Sequence, residues 1–359
     1  MSRPQAGDRI NNYLLDEQIA AGSFGEVWKA HHHVFNEPVA IKIPTDPQYV
    51  RHLQREGMAI HGLHHPNIVR ALDLDPYADP PYLVMEYVDG PSLLELIVEN
   101  PGGLPIEAAV AILAGTLSAL AAAHKAGVIH RDIKPANILI VSNDDDGTAG
   151  AELTGITPAR VKVTDFGLGR LQGATAAAMV QSGSISTDAS RRTAGTLVYM
   201  SPEQRDGRDV DARSDLYSAG VVLHEMLTGV LPQGTDLPSS IRRDVPRWLD
   251  DLFERSYTRR DHRFESARQM QEVMERYQSP GLEMAPAGAR EEGRIGRAGA
   301  DTARRCTGCH GVVNADDQFC IHCGRRLVED VPRCPSCHGF VGREDKFCIL
   351  CGIDLREGV

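Results

Sequence analysis

The first 305 residues of this 359-residue chain contain no cysteine; all eight cysteines lie from Cys306 onward. That placement excludes a chain-wide disulfide framework and points to a local metal module in a reducing compartment. An excess of positive charge is missing as well. The formal net charge of −11 excludes a whole-chain attraction to nucleic acid or to an anionic membrane. Long hydrophobic runs are also absent. The longest nearly uncharged stretch, residues 108–123, is alanine-rich, short for a membrane span, and reads as a buried helix. The N-terminal MSRPQAGDRINNY lacks the apolar centre of a secretory signal. These absences lead to the expectation of a cytoplasmic protein with no membrane partner. What is present is a hydrophobic fraction of 42%, enough for a real core, in a length that suits two or three domains.

Residues 8–279 read as one unit. Short β-rich segments and turns come first, then a helix over 49–62 and an apolar strand over 82–88. Mostly helical patterns follow, over 105–126, 215–228, 248–256 and 266–277. Two insertions interrupt this part. Residues 143–159 are rich in Asp, Gly and Thr and read as a surface loop between two short strands; residues 172–193 are rich in Ala, Ser and Thr. Residues 280–303 carry Pro, Gly, Ala and Arg and read as a flexible linker. An internal repeat then begins. Cys306-Thr-Gly-Cys309 with Cys320-Ile-His-Cys323 recurs as Cys334-Pro-Ser-Cys337 with Cys348-Ile-Leu-Cys351. Each CxxC knuckle puts two thiolates on one tight turn, and two knuckles complete a tetrahedral site with no open position. The spacing therefore predicts two structural Zn2+ ions, one on Cys306, Cys309, Cys320 and Cys323, the other on Cys334, Cys337, Cys348 and Cys351. A redox dithiol is the competing reading of any single CxxC, and His310, His322 and His338 are taken as bystanders. The triple His31-His32-His33 is placed in an exposed turn.

The chemistry-bearing residues lie between these regions. His130-Arg131-Asp132-Ile133-Lys134-Pro135-Ala136-Asn137 is followed by Asp165-Phe166-Gly167. A proton-accepting carboxylate, a lysine, an amide and a second carboxylate stand at the spacing of a phosphoryl-transfer loop and its metal site. Upstream, Ala20-Ala21-Gly22-Ser23-Phe24-Gly25-Glu26-Val27 precedes Val39-Ala40-Ile41-Lys42. Glycine lets backbone amides approach phosphates without a Cβ in the way. Alone, the glycine segment would read as a plain β-hairpin turn. Together, these residues make the chain resemble the protein kinases, specifically the bacterial eukaryotic-like (Hanks-type) Ser/Thr kinases; the C-terminal repeat resembles a double zinc ribbon.

The resemblance implies an α+β, bilobal kinase fold. The small β-rich N-lobe would span about 8–85 and the mostly helical C-lobe about 89–279, with two small zinc ribbons in 304–359. It implies ATP as phosphoryl donor, Mg2+ (or Mn2+) as cofactor and protein substrates bearing Ser or Thr. Asp132 would be the base and Lys134 would neutralise charge on the moving phosphoryl group. Asn137 and Asp165 would hold Mg2+, for which hard oxygen ligands suit. Lys42 would bind the α and β phosphates, held by Glu56, which precedes the His65-Pro66-Asn67 turn by nine residues. Ala20 stands where the family has its first glycine, so a modest loss in ATP affinity is expected there. Val27, Ala40 and Leu139 would sandwich the adenine, Met85 would be the gatekeeper, and the backbone of Glu86 and Val88 would meet the base edge. His130 and Phe166 would be packing elements.

Lys134 with Thr196 is the family's Ser/Thr-specific pattern. Ser201-Pro202-Glu203 would close the activation segment, with Glu203 paired to Arg263, and Asp215 would brace the catalytic loop. Arg131 marks family members switched on by a phosphate in that segment, for which Ser184, Ser186, Thr187, Ser190 and Thr193 are the candidates, with Thr187, Ser190 and Thr193 favoured. The region 228–248 is short for the family's substrate-docking helix. Two alternatives stay open: a pseudokinase scaffold or binding module, and a kinase tethered to nucleic acid through its zinc ribbons. Charge counts against the second. Residues 301–359 hold eight Lys and Arg against nine Asp and Glu, and two tetrathiolate zinc sites would take the module to about −5. An unknown protein partner is the expectation for this tail.

Overall fold

Alternation with period two organises the N-terminal half. The structure, a computed structural model of the chain, describes residues 4–21, 25–46, 49–142, 153, 155–166, 197–234, 236–278, 304–305 and 312–313. Six strands form one antiparallel sheet: β1 (Arg9–Ile10), β2 (Tyr13–Ala21), β3 (Glu26–His32), β4 (Pro38–Ile43), β5 (Ala71–Asp75) and β6 (Tyr82–Glu86), in the order β1-β2-β3-β4-β6-β5. Successive side chains of a strand point to opposite faces. In β4, Val39, Ile41 and Ile43 join one apolar cluster with Trp28, Tyr82 and Val84. Ala40 joins the other, with Leu83 and Met85. Lys42 follows the parity of Ala40 and pairs in register with Leu83. The lysine is thereby carried onto the inner face of the sheet.

Helix α1 (Val50–His61) covers that face. Its Leu53, Glu56 and Ile60, at helical spacing, are all buried. The helical half follows: α2 (Leu93–Glu99), α3 (Ile106–Lys125), α4 (Pro202–Arg205), α5 (Arg213–Thr228), α6 (Pro238–Ile241), α7 (Arg247–Ser256) and α8 (Ala267–Gln278). Short strands β7 (Ile138–Ile140) and β8 (Val161–Val163) pair between α3 and α4. They flank the 143–159 insertion as expected.

Among the described residues, α3 alone is long and apolar enough to cross a membrane. Here it is a core helix, with Ile112, Leu113, Leu117, Ala119 and Leu120 at 1% exposure or less. It packs on β8, α5 and α8. A Cβ on Gly115 would lie 2.5 Å from the Cβ of Val161, so the helix reaches β8 only because that position is glycine. Helix α5 is buried on every side from Ser214 to Thr228, the condition of a central helix.

The chain divides into two compact units, Met1–Glu283 and Met284–Val359. In the second, β9 (Arg304–Arg305) pairs antiparallel with β10 (Val312–Val313). The eight cysteines, and the histidines of the repeat, lie outside the described residues. One local expectation is revised. His31 and His32 belong to strand β3 rather than to a turn; only His33 opens it, because β3 continues its pairing with β2 as far as Tyr13–His32. No group of three or more metal-ligating side chains occurs among the described residues.

Candidate active site

Three segments far apart in sequence meet at Lys42. Its Nζ donates to Glu56 Oε1 and Oε2 at 2.8 and 2.9 Å, and to Asp165 Oδ1 at 2.8 Å. Lys42 and Glu56 are buried. A lone buried ammonium would be strongly disfavoured, so the carboxylates are what allow it there. Burial works against the Lys42 charge, but Asp165 and Glu56 outweigh it and hold the ammonium above its usual range. Burial opposes the charge of Asp165 too, and Lys42 overrides it, keeping this carboxyl below its usual range. At Glu56 burial wins: the pKa is raised despite Lys42, and Asp165 adds to the rise. One cation thus serves two carboxylates.

The catalytic-loop candidates form a second group. Pro135 starts a single 3-10 turn, Pro135–Asn137, with its ring fixing the backbone at the first position. That turn brings Asn137 back onto Asp132. Asn137 Nδ2 donates to the Asp132 backbone O at 2.8 Å and to Oδ2 at 3.1 Å, and Lys134 Nζ donates to the same Oδ2 at 2.8 Å. Asn137 O also accepts from Thr164 N at 3.0 Å, and His130 Nε2 donates to Thr164 O at 2.9 Å. The loop and the approach to Asp165 are therefore laced together. The His130 and Phe166 rings, both fully buried, lie 4.4 Å apart between centroids, the packing role expected of them.

Arg131 and Asp165 have positive φ, 67° and 64°. For residues with a Cβ, such backbone costs about 1–3 kcal/mol and persists only where the surroundings enforce it. At Arg131 the enforcement is visible. Asp215, fully buried on α5, accepts from His130 N at 2.9 Å and Arg131 N at 2.7 Å, as the bracing role required. Glu203 takes the expected ion pair: Arg263 donates to its two oxygens at 2.6 and 3.0 Å, and Ser214 Oγ adds a third bond at 2.6 Å.

The residues expected on the nucleotide side line the inner face of the sheet and the top of the helical half. Ala40 and Met85 are buried and paired in register, while Val27 and Leu139 are half-buried against the same cluster. Ala20 pairs with Val27 beside a register shift. Gly22, Ser23 and Phe24 lie outside the described residues, as do Thr187, Ser190, Thr193 and Thr196. Gly25 has a reason independent of phosphate: a Cβ there would fall 2.5 Å from the Ile43 carbonyl oxygen. Glu86 N donates to Arg70 O at 2.9 Å, so a base-edge contact at this residue falls to its carbonyl.

Three participants went unnoticed in the sequence. His124 donates through Nε2 to Asp215 Oδ2 at 2.7 Å. Lys162 pairs with the Glu86 carboxylate at 2.6 Å. Gln204 donates through Nε2 to the Arg131 carbonyl at 2.8 Å. Only the last had a legible signal, the Ser201-Pro-Glu-Gln204 capping-box pattern.

A protein kinase domain model matches residues 13–278, and a double zinc ribbon model matches residues 299–352. A probable serine/threonine-protein kinase of Clostridium perfringens is 33% identical over 309 residues, covering 80% of this chain and 41% of the relative. Serine/threonine-protein kinase PknL of Mycobacterium tuberculosis is 38% identical over 248 residues, 66% of this chain and 55% of the relative. The chain thus spans roughly half or less of the length of these curated relatives. Among solved structures, the PknI kinase domain of Mycobacterium tuberculosis superposes with a TM-score of 0.57 at 25% identity, over 76% of this chain and 99% of that one.

Proposed function

The chain belongs to the protein kinase family, and from that premise we propose that it is an ATP-dependent serine/threonine protein kinase with a zinc-bearing tail. The observation that carries the proposal is the convergence on one face of Lys42, Glu56 and Asp165, all within 2.9 Å of the lysine Nζ. Beside it, Asp132 is oriented by two donors. In this reading Lys42 gives up part of its contact with Asp165 to the α and β phosphates of ATP. Asp165, already ionised, and the Asn137 side-chain oxygen present hard oxygen donors that fit Mg2+. The Asn137 nitrogen is committed to Asp132, which leaves its oxygen as the atom for a cation. Bound Mg2+ would supply charge neutralisation along the phosphates.

Asp132 accepts the proton of a Ser or Thr hydroxyl and aligns that oxygen with the γ-phosphorus. Lys134, on the same carboxylate oxygen, neutralises negative charge on the transferred group in this reading. The transition state of phosphoryl transfer is loose, so alignment contributes more than base strength. Transfer of labelled γ-phosphate tests this: Asp132→Asn should lower turnover by about 10²–10⁴-fold. Equal transfer by the two proteins, or none by either, overturns the kinase reading.

Activation by phosphate in the 167–196 segment belongs to the same proposal, supported by Arg131 next to the base. Phosphopeptides mapped from active protein should include Thr187, Ser190 or Thr193; a segment without phosphate refutes this route. For the tail, eight thiols in four paired knuckles fit two structural Zn2+ ions and a protein-interaction role, in the cytoplasm where thiols stay reduced. Metal analysis giving other than two zinc per chain would contradict that assignment.

A further inference from the structure

The Arg131–Asp132 peptide group is gripped at both ends. On one side, the Arg131 carbonyl accepts from Gln204 Nε2 at 2.8 Å. On the other, the Asp132 N–H donates to His130 Nδ1 at 3.2 Å, while the same imidazole donates through Nε2 to Thr164 O. This peptide leaves Arg131 in its left-handed conformation, φ 67°, and leads directly into the proposed base. A non-glycine residue does not hold that backbone by itself. Asp215 fixes the N–H of Arg131 but cannot fix the plane of the following peptide. Gln204 supplies one of the grips on that plane.

Gln204 is built for the task. It is 4% exposed, on the single turn of α4. Its Oε1 accepts from Ser201 N at 3.2 Å and from Ser201 Oγ at 3.0 Å, closing the capping box. With the oxygen thus engaged, the amide can point only its NH2 toward the catalytic loop. The turn that carries it is anchored one residue earlier, where Glu203 is clamped by Arg263 and Ser214. The donor is therefore presented by a fixed support and aimed at the backbone one residue before Asp132.

We propose that Gln204 is a positioning residue for phosphoryl transfer: it sets the Arg131–Asp132 peptide plane and so couples the end of the activation segment to the carboxylate that receives the substrate proton. This rests on the kinase reading above. It makes the Ser201–Gln204 turn more than a helix cap, since a cap requires only the glutamine oxygen and leaves the nitrogen without a task.

The test substitutes Gln204→Glu in the full chain. Glutamate keeps the shape and the acceptor facing Ser201 but sets oxygen against the Arg131 carbonyl. Turnover should fall at least tenfold with the KM for ATP changed less than twofold, because the nucleotide contacts lie elsewhere. Hydrogen exchange at the Asp132 amide should quicken at least tenfold relative to wild type. Gln204→Met, of similar volume and without a donor, should do the same and serves if the glutamate variant does not fold. Turnover within threefold of wild type in the folded variants overturns the proposal. So does a lowered unfolding midpoint with unchanged turnover per folded molecule, which is all that a cap would show. A wild-type protein that transfers no phosphate defeats the kinase reading instead; unchanged exchange at Asp132 defeats the clamp whether or not the protein is active.

Discussion

Lys42 and Arg263 are both buried cations held by carboxylates, yet the two clusters differ in stoichiometry. Arg263 faces one carboxylate, Glu203, through two hydrogen bonds, and Ser214 completes the set. Burial opposes the Glu203 charge, but Arg263 and Ser214 outweigh it and hold the pKa down at about 2. Lys42 faces two carboxylates, and burial leaves one of them, Glu56, raised while Asp165 is held low. In the first cluster both Glu203 oxygens have donors. The second contains more acceptors than its single cation neutralises. In the proposed reading, incoming phosphates would compete for the lysine, and a divalent cation would compensate the carboxylate that loses it. Buried charge by itself does not distinguish the two clusters; the number of carboxylates on each cation does.

The sharpest way to break this comparison is Arg263→Met. It strands a buried carboxylate, and loss of one partner from such a pair costs about 3–5 kcal/mol; urea unfolding should read a loss of that size, and a loss below 1 kcal/mol would deny the anchor. Lys42→Met should behave in the opposite way. Transfer should drop by about 10²–10³-fold, the usual effect of removing one electrostatic stabiliser. Stability should change by less than half the Arg263→Met effect, since Glu56 is already inclined to take a proton. Equal destabilisation by the two variants would erase the distinction.

Acid titration gives a smaller effect. The Glu203 pKa is depressed from 4.5 to about 2, so its contribution is fully present above the higher value and is lost as pH falls toward the lower. The stability gap between wild type and Glu203→Gln should stay constant above about pH 5 and narrow through this window; a gap that does not vary with pH would show that the charge contributes nothing. Smallest of all is Ala20→Gly. With Gly25 retained, ATP affinity should rise by less than tenfold, or about 1.4 kcal/mol. A larger gain by calorimetry would mean that the Ala20 Cβ crowds the nucleotide.

Much of this was readable from one dimension. The pairing of Lys42 with Glu56 was expected from the sequence, and the helix over 49–62 was found as Val50–His61 with Glu56 inward. Glu203–Arg263 and the Asp215 brace also lie where the sequence placed them. Among the contacts not read were some whose partner is a backbone carbonyl: Gln204 with that of Arg131, or Asn67 Nδ2 with those of Pro158 and Val161. Every residue carries the same carbonyl, so no residue type announces such a bond.

The order and spacing of residue types decided which chemistry is possible, because periodicity in strands and helices assigns each side chain a face before any tertiary contact forms. The sequence by itself therefore determined a kinase-like set of lysine, carboxylates and amide, and a cysteine repeat suited to zinc. Only the tertiary structure decided how charge is shared within that set. In which direction the Glu56 and Asp165 carboxyls are shifted at Lys42, and whether Arg131 can hold a left-handed backbone, depends on burial and on distances of about 3 Å between residues up to 123 positions apart. Coulomb energy and desolvation act through space, and the chain alone does not specify that space until it has folded.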